Sequence, residues 1–170
     1  TEKQLSFYAN NESLTGLANR RRFIHAVEQQ IAVSKRHDSL FCVLFLDIDR
    51  FKEVNDVHGH HIGDQLLRAV ADRLAKIMRI EDMVCRYGGD EFTILLTNTS
   101  TTQSRLVAEK CRNELSKTFK LEQLSLDITC SIGIAEYTSG ATATTLLRNA
   151  NHAMHSIKKQ EQGGITFHND

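Results

Sequence analysis

The stretch "CRYGGDEFTILL", Cys85 to Leu96, places two glycines and two carboxylates between apolar, β-prone runs. A tight turn requires only the glycines, which can take positive φ. The segments "MVCRY" and "EFTILLT" around Gly88 and Gly89 therefore predict a β-hairpin with Asp90 and Glu91 at its tip. The acids need a separate explanation. Upstream, the run "LFCVLFL" at 40–46 is apolar throughout, as a buried central strand would be, and it leads into "DID". If extension continues, Asp47 and Asp49 lie two apart on one face and leave the apolar run together.

Helical periodicity surrounds these two segments. Before the strand, "NRRRFIHAVEQQIAVSK" spaces Phe23, Val27 and Ile31 four apart on one face. After it, Phe51, Val54 and Val57 form a helical face; the pattern breaks at Gly59 and Gly63 and resumes with Leu66, Leu67, Val70, Leu74 and Ile77. Beyond the hairpin the pattern predicts a helix around Ser104 to Phe119. A strand "LDITCSIGIAEY" follows, alternating Leu126, Ile128, Cys130, Ile132 and Ile134. The last helix carries Leu146, Leu147, Ala150, Ala153, Met154 and Ile157, and Gly163 and Gly164 end it. A hairpin mixed with helical crossovers predicts an α/β (α+β) fold, a largely antiparallel central sheet flanked by helices.

A chain of 170 residues can build one full core and is too short for two ordinary domains. Its 21 Lys and Arg cancel 21 Asp and Glu, so any anion site is local rather than part of a global field. With no net charge, no Trp and 6% aromatics, the chain lacks the basic track and stacking surface of an enzyme acting on nucleic acid. The longest apolar run falls far short of the roughly 18 residues of a spanning helix, and no cleavable leader pattern precedes it. Cys42, Cys85, Cys111 and Cys130 lack the paired spacing of zinc or redox motifs, which points to core thiols in a reducing compartment. Thr1 in place of an initiator Met suggests a segment of a longer protein.

Gathering Asp47, Asp90 and Glu91 at one sheet end would cost repulsion unless a cation joined them. Hard divalent ions take oxygen ligands, usually one or two protein carboxylates plus substrate phosphates, and so suit in-line phosphoryl or nucleotidyl transfer. The competing assignment makes Asp49 a helix N-cap and leaves Asp90 and Glu91 as solvated turn residues. The "DID" and the two glycine breaks favour the metal-bearing arrangement. His58, His60 and His61 in "HGHH" are assigned no transition metal, since the carboxylates suit hard Mg²⁺ or Mn²⁺. His152 and His155 fall on the solvated side of the last helix.

Five segments in order resemble the GGDEF domain of the diguanylate cyclase family. Gly88, Gly89, Asp90, Glu91 and Phe92 form its signature, and "DIDRFKEVNDVHGHHIGDQLL", Asp47 to Leu67, matches its second long motif without a gap. "LTGLANRR", Leu14 to Arg21, matches the motif before the first helix, while "SIGIA", Ser131 to Ala135, and "NANHAMHSIKK", Asn149 to Lys159, resemble later ones. The likeness covers nearly the whole chain: one domain over 1–170, with a lead-in helix over 1–12 and the core over 13–170. It implies a nucleotide-cyclase or polymerase-palm-like βαββαβ core and the condensation of two GTP into cyclic di-GMP with release of two pyrophosphates. It also implies a head-to-tail homodimer, two Mg²⁺ or Mn²⁺ per GTP, and a cytoplasmic location, either free or as the cytoplasmic domain of a membrane-bound sensor. The closing "ITFHND" resembles the join to an EAL phosphodiesterase domain, so an additional sensory or EAL domain is expected.

By the same resemblance Asp47, Glu91 and the Ile48 carbonyl serve the metals, while Asp90 either helps activate the attacking 3′-hydroxyl or binds metal itself. Gly88 and Gly89 let phosphates or base lie against the hairpin. Asn55 and Asp64 match the guanine readers; a carboxylate accepts from adjacent guanine N–H groups and a carboxamide donates and accepts, so the pair rejects adenine. Asp64 as an N-cap after Gly63, and Asn55 as a helix-end polar residue, are the plainer roles for these positions. Phe51 and His60 join the substrate-binding set, and Lys52 and Lys158 match triphosphate contacts, point charges that need no fixed fork. Arg79 and Asp82 of "RIED" have the RxxD spacing of the family's inhibitory product site, where Arg bonds guanine O6 and N7. The alternative is an (i, i+3) salt bridge worth about 0.2–0.5 kcal/mol.

The last helix departs from the family pattern: Asn151 stands for Asp, His155 for Tyr and Ile157 for Ala, and the Arg expected near Gln162 is missing. Glu12 replaces the usual Asp before "LTGL". Two functions therefore compete: an active cyclase, and a regulatory module that binds GTP or cyclic di-GMP and controls a neighbouring domain.

Overall fold

A computed structural model describes residues 1–160 and 163–168. The apolar run forms strand β1 (Phe41–Ile48), buried at every position. Before it lie α1 (Glu2–Asn10) and α2 (Arg20–His37), and after it α3 (Phe51–His58) and α4 (His60–Ile77). Then come β2 (Met83–Arg86), β3 (Glu91–Thr97), α5 (Thr101–Ser116), β4 (Phe119–Leu121), β5 (Leu124–Leu126), β6 (Cys130–Glu136), α6 (Ala143–Gln160) and β7 (Gly164–Phe167). The five-stranded sheet has the order β2-β3-β1-β6-β7; only β6 and β7 run parallel. This is the largely antiparallel, helix-flanked sheet that the hairpin and helical pattern predict.

Alternation along β1 divides the core. Cys42, Leu44, Leu46 and Ile48 pack with Leu66, Val70 and Leu74 of α4 and with Ala108, Cys111 and Leu115 of α5. Phe41, Val43 and Phe45 pack with Phe23 and Val27 of α2 and with Leu147, Ala150 and Met154 of α6. Each fully buried Leu or Phe contributes roughly 1.5–3 kcal/mol, so helices on both faces make β1 the centre of the sheet. On β6, Gly133 lies so close to α6 that a Cβ there would strike the backbone at Ala150 and Met154. The glycine in "SIGIA" is what lets this helix seat on the sheet.

Several local expectations need correction. Helix α4 runs unbroken through Gly63, and only Gly59, at φ 88°, breaks the chain. Neither Gly88 nor Gly89 is among the glycines with positive φ, so the hairpin forms without the left-handed backbone that the pair permits. The long strand over 126–137 is divided. Leu126 belongs to a separate β4–β5 hairpin turned at Glu122 (φ 57°), and β6 begins only at Cys130. Helix α5 starts at Thr101 and stops at Ser116, leaving Phe119 to β4. Gly164 does not end a helix; it opens β7, which extends through "ITF" and pairs with β6. Gln162 lies outside the described residues.

All four cysteines are buried and free, and burial pushes their thiols up, to about 11 at Cys42 and Cys85. Among the described residues no helix is long and apolar enough to cross a membrane.

Candidate functional site

The end of β1 collects the acids. Asp47 stands opposite Glu91 on β3 and opposite Ser131 on β6, which puts the three in one row across the sheet, on the face covered by α6. The Ile48 amide donates to the Asp90 carbonyl at 3.3 Å and ties the hairpin loop to the strand end. Within the loop the Tyr87 and Gly88 amides both donate to the Glu91 carbonyl. Arg86 donates twice to the Gly89 carbonyl, at 3.0 and 2.9 Å, and once to Glu12 at 3.0 Å. Glu12 in turn accepts from the Leu14 and Thr15 amides. These bonds anchor the loop to the "LTGL" segment, an arrangement the sequence reading missed; an Arg two residues before a Gly-Gly pair and the acid before "LTGL" were its only traces.

The two signature glycines differ in cause. A Cβ at Gly88 would strike the Glu91 carboxylate, so Glu91 folds back into the space the glycine leaves. A Cβ at Gly89 would meet nothing. Its bare backbone is open to a ligand approaching from outside.

Asp47 and Asp49 are both buried, at 7% and 4% exposure, yet their surroundings differ. Asp49 accepts from Thr129 Oγ1 at 2.6 Å and from Ser131 Oγ at 2.8 Å. It is not the N-cap of α3: that position is Arg50, at φ 58° and with no side-chain cap, a left-handed turn that costs about 1 kcal/mol or more in a residue with a Cβ. Asp47 keeps one oxygen, Oδ1, buried without a partner. Its other oxygen receives Lys158 Nζ at 2.8 Å; the same ammonium stands 3.4 Å from the Ile48 carbonyl and 3.8 Å from Asp49. Burial, then the adjacent Asp90 carboxylate, raise the Asp47 pKa well above the ordinary range, and Lys158 only partly offsets them.

The residues expected to read guanine sit apart, on α3 and α4. Asn55 packs against Gly63, where a Cβ would strike its carboxamide and would also crowd the Phe51 ring; its Oδ1 is buried and unpartnered. Asp64 is exposed and lies inside α4, past the first turn, so it is no N-cap. Lys52 and His60 are exposed. A groove of about 550 Å³ opens beside α3, but Arg50, Glu53, His58 and Asp127 line it rather than Asn55 or Asp64. Lys158, matched above to the triphosphate, lies against the β1 acids.

The Arg79–Asp82 turn is closed upon itself. Arg79 forms a two-pronged bond to Asp82 at 3.0 and 2.9 Å and donates further to the Thr97 carbonyl and the Thr99 hydroxyl. Asp82 beside it raises the guanidinium pKa. The pair borders an open groove of about 600 Å³ that Arg22, Gln29 and Gln30 also line.

The family described as "Diguanylate cyclase, GGDEF domain" matches residues 9–164. The chain belongs to the GGDEF family. This GGDEF domain is 39% identical over 166 residues to the bifunctional diguanylate cyclase/cyclic di-GMP phosphodiesterase MucR of Pseudomonas aeruginosa, covering 97% of the chain but 24% of that protein. It is 34% identical to the cyclic di-GMP phosphodiesterase NbdA of the same organism, covering 94% of the chain and 20% of NbdA. It thus spans about a quarter or less of these relatives. Among solved structures, the GGDEF domain of DgcB from Caulobacter crescentus, in complex with c-di-GMP, superposes with a TM-score of 0.90 at 30% identity, covering 95% of this chain and 94% of that one.

The site suits a hard divalent ion in part. An unpartnered buried carboxylate oxygen, a strand-end carbonyl whose side-chain partner is the Lys158 ammonium at 3.4 Å, and neighbouring acids are the oxygen donors such ions take. Among the described residues no three His, Cys, Asp or Glu side chains form a ready cage, so substrate phosphates would complete the coordination.

Proposed function

We propose that this GGDEF domain is a diguanylate cyclase that condenses two GTP into cyclic di-GMP and releases two pyrophosphates. The observation that carries the proposal is Asp47, a buried acid with one oxygen unpartnered, set beside Asp90 and opposite Glu91 at a loop whose Gly89 backbone is bare. Asp47, Glu91 and the Ile48 carbonyl would hold Mg²⁺ or Mn²⁺, which when bound neutralises charge building on the α-phosphate. Asp90 accepts the proton of the attacking 3′-hydroxyl or adds a further oxygen ligand. Asn55 and Asp64 select guanine, with Phe51 and His60 beside them, and Lys52 and Lys158 hold the triphosphate. Two copies meet head to tail, because each 3′-hydroxyl must reach the α-phosphate of the other GTP. Arg79 and Asp82 take up product, provided the guanidinium exchanges its bonds to Asp82 and Thr97 for bonds to guanine. The domain works in the cytoplasm beside a sensory or EAL domain.

A second reading, a GTP- or cyclic di-GMP-binding regulatory module, draws on the last helix and on the mixture of cyclase and phosphodiesterase among the relatives. Asn151, where the family pattern has Asp, leaves its Oδ1 buried and unpartnered. Turnover decides between them. Nucleotide-stripped domain with Mg²⁺ should form cyclic di-GMP and pyrophosphate at a rate rising faster than linearly with protein concentration. GTP binding without product at any concentration, even with Arg79→Ala, overturns the cyclase and leaves the regulatory module.

A further inference from the structure

Lys158 sits against the groups that a cation at the β1 tip would use. Its ammonium touches the Asp47 carboxylate at 2.8 Å and the Ile48 carbonyl at 3.4 Å, the two groups of β1 assigned above to metal, with Asp49 at 3.8 Å. The ammonium uses Asp47 Oδ2 and the Ile48 carbonyl and leaves Oδ1 open; a hard ion on Oδ1 and the same carbonyl approaches to roughly 2.0–2.1 Å, and the two positive charges would then repel across one carboxylate and one carbonyl. We infer that Lys158 is the resident counter-cation of the metal-free tip, and that a divalent ion binds there only by displacing it. The inference rests on the reading of Asp47 as a metal ligand.

The side chain is built for such an exchange. Lys carries a compact charge on a flexible stem, so it can leave Asp47 without any movement of α6. The Lys158 side chain is 25% exposed and the Asp47 side chain 9%, so the lysine is open to water where the carboxylate is nearly closed off. Metal alone must therefore compete with Lys158. Nucleotide phosphates offer the ammonium an alternative partner and release the carboxylate, so metal and nucleotide assist each other's binding through this one side chain.

The test uses Mn²⁺ alone, titrated into nucleotide-free protein and followed by the spectrum of the free ion. Lys158→Met should bind Mn²⁺ roughly three- to tenfold more tightly than wild type, as expected when a partly buried ionic competitor is removed. Asp47→Asn should abolish that binding in either background. A purely structural role for Lys158 would lower the melting temperature of Lys158→Met and leave its Mn²⁺ affinity equal or weaker. That result, with binding still dependent on Asp47, overturns the inference and spares the cyclase reading. No Asp47-dependent Mn²⁺ binding in either protein, with or without a non-hydrolysable GTP analogue, overturns both. Wild-type protein gives an independent measure: acetylation of Lys158 should rise when Mn²⁺ replaces chelator, and unchanged labelling at saturating Mn²⁺ overturns the exchange.

Discussion

The β1 tip and the Arg79–Asp82 turn each pair an acid with a basic side chain, and they resolve the pairing differently. At the turn, Asp82 accepts the two-pronged guanidinium and the Arg79 amide, so both carboxylate oxygens are used. At the tip, Asp47 has one oxygen on Lys158 and one unpartnered, with Asp90 close by. Asp49, two residues along, resembles the turn: both its oxygens accept hydroxyl bonds. Burial alone therefore does not separate Asp47 from a structural acid. What separates them is a carboxylate that the fold leaves half satisfied, a cost that a ligand would offset.

Substitutions can break this contrast. The largest effect is expected at the tip, where Asp47→Asn should lower cyclic di-GMP formation roughly a thousandfold or more. The metal-free protein should lose no more than about 1 kcal/mol of urea stability, because burial already disfavours the charged form of that carboxylate. A large loss of stability would place Asp47 with the structural acids. Asp49→Ala should do the reverse in urea titrations, costing about 2–3 kcal/mol by leaving the Thr129 and Ser131 hydroxyls without their acceptor.

Acidity sharpens the same contrast. Burial and Asp90 push Asp47 up to about 7, so folding favours its protonated form. That contribution is full below the ordinary carboxylate value of about 4 and is lost as pH rises through about 7. Metal-free wild type should lose melting temperature between roughly pH 4 and pH 7, and Asp47→Asn should lose less. Equal slopes would mean that Asp47 is as well satisfied as Asp49. The smallest effect belongs to the turn: Asp82→Asn, beside a half-exposed Arg79, should cost under about 1 kcal/mol by thermal denaturation.

Much of this architecture was legible because long periodic segments report their own burial. The apolar run into "DID" gave β1 and the common face of Asp47 and Asp49, and the spacing of Leu66, Leu67, Val70 and Leu74 gave α4. Short strands escaped: β4, β5 and β7 are three or four residues each, too brief for alternation to stand out. Gly63 looked like a break because a glycine lowers helix propensity, but here it makes room for Asn55 and Phe51 within a continuous helix. The acids at the β1 tip could be named from sequence, but their partners could not. Lys158 lies 111 residues beyond Asp47, and Thr129 and Ser131 some 80 residues beyond Asp49, and only the pairing of β1 with β6 and the seating of α6 bring them together.

The contact at Gly133 sets the time and distance scale of events at the tip. Where the backbone of α6 rests directly on β6 at Ala150 and Met154, the helix has no cushion of side chains on which to slide. The root of Lys158, one turn beyond Met154, is thereby fixed relative to the acids. Whatever the ammonium does is limited to the length of its own stem. Such changes belong to side-chain rotation, in picoseconds to nanoseconds, and not to the slower class of helix shifts and domain closures.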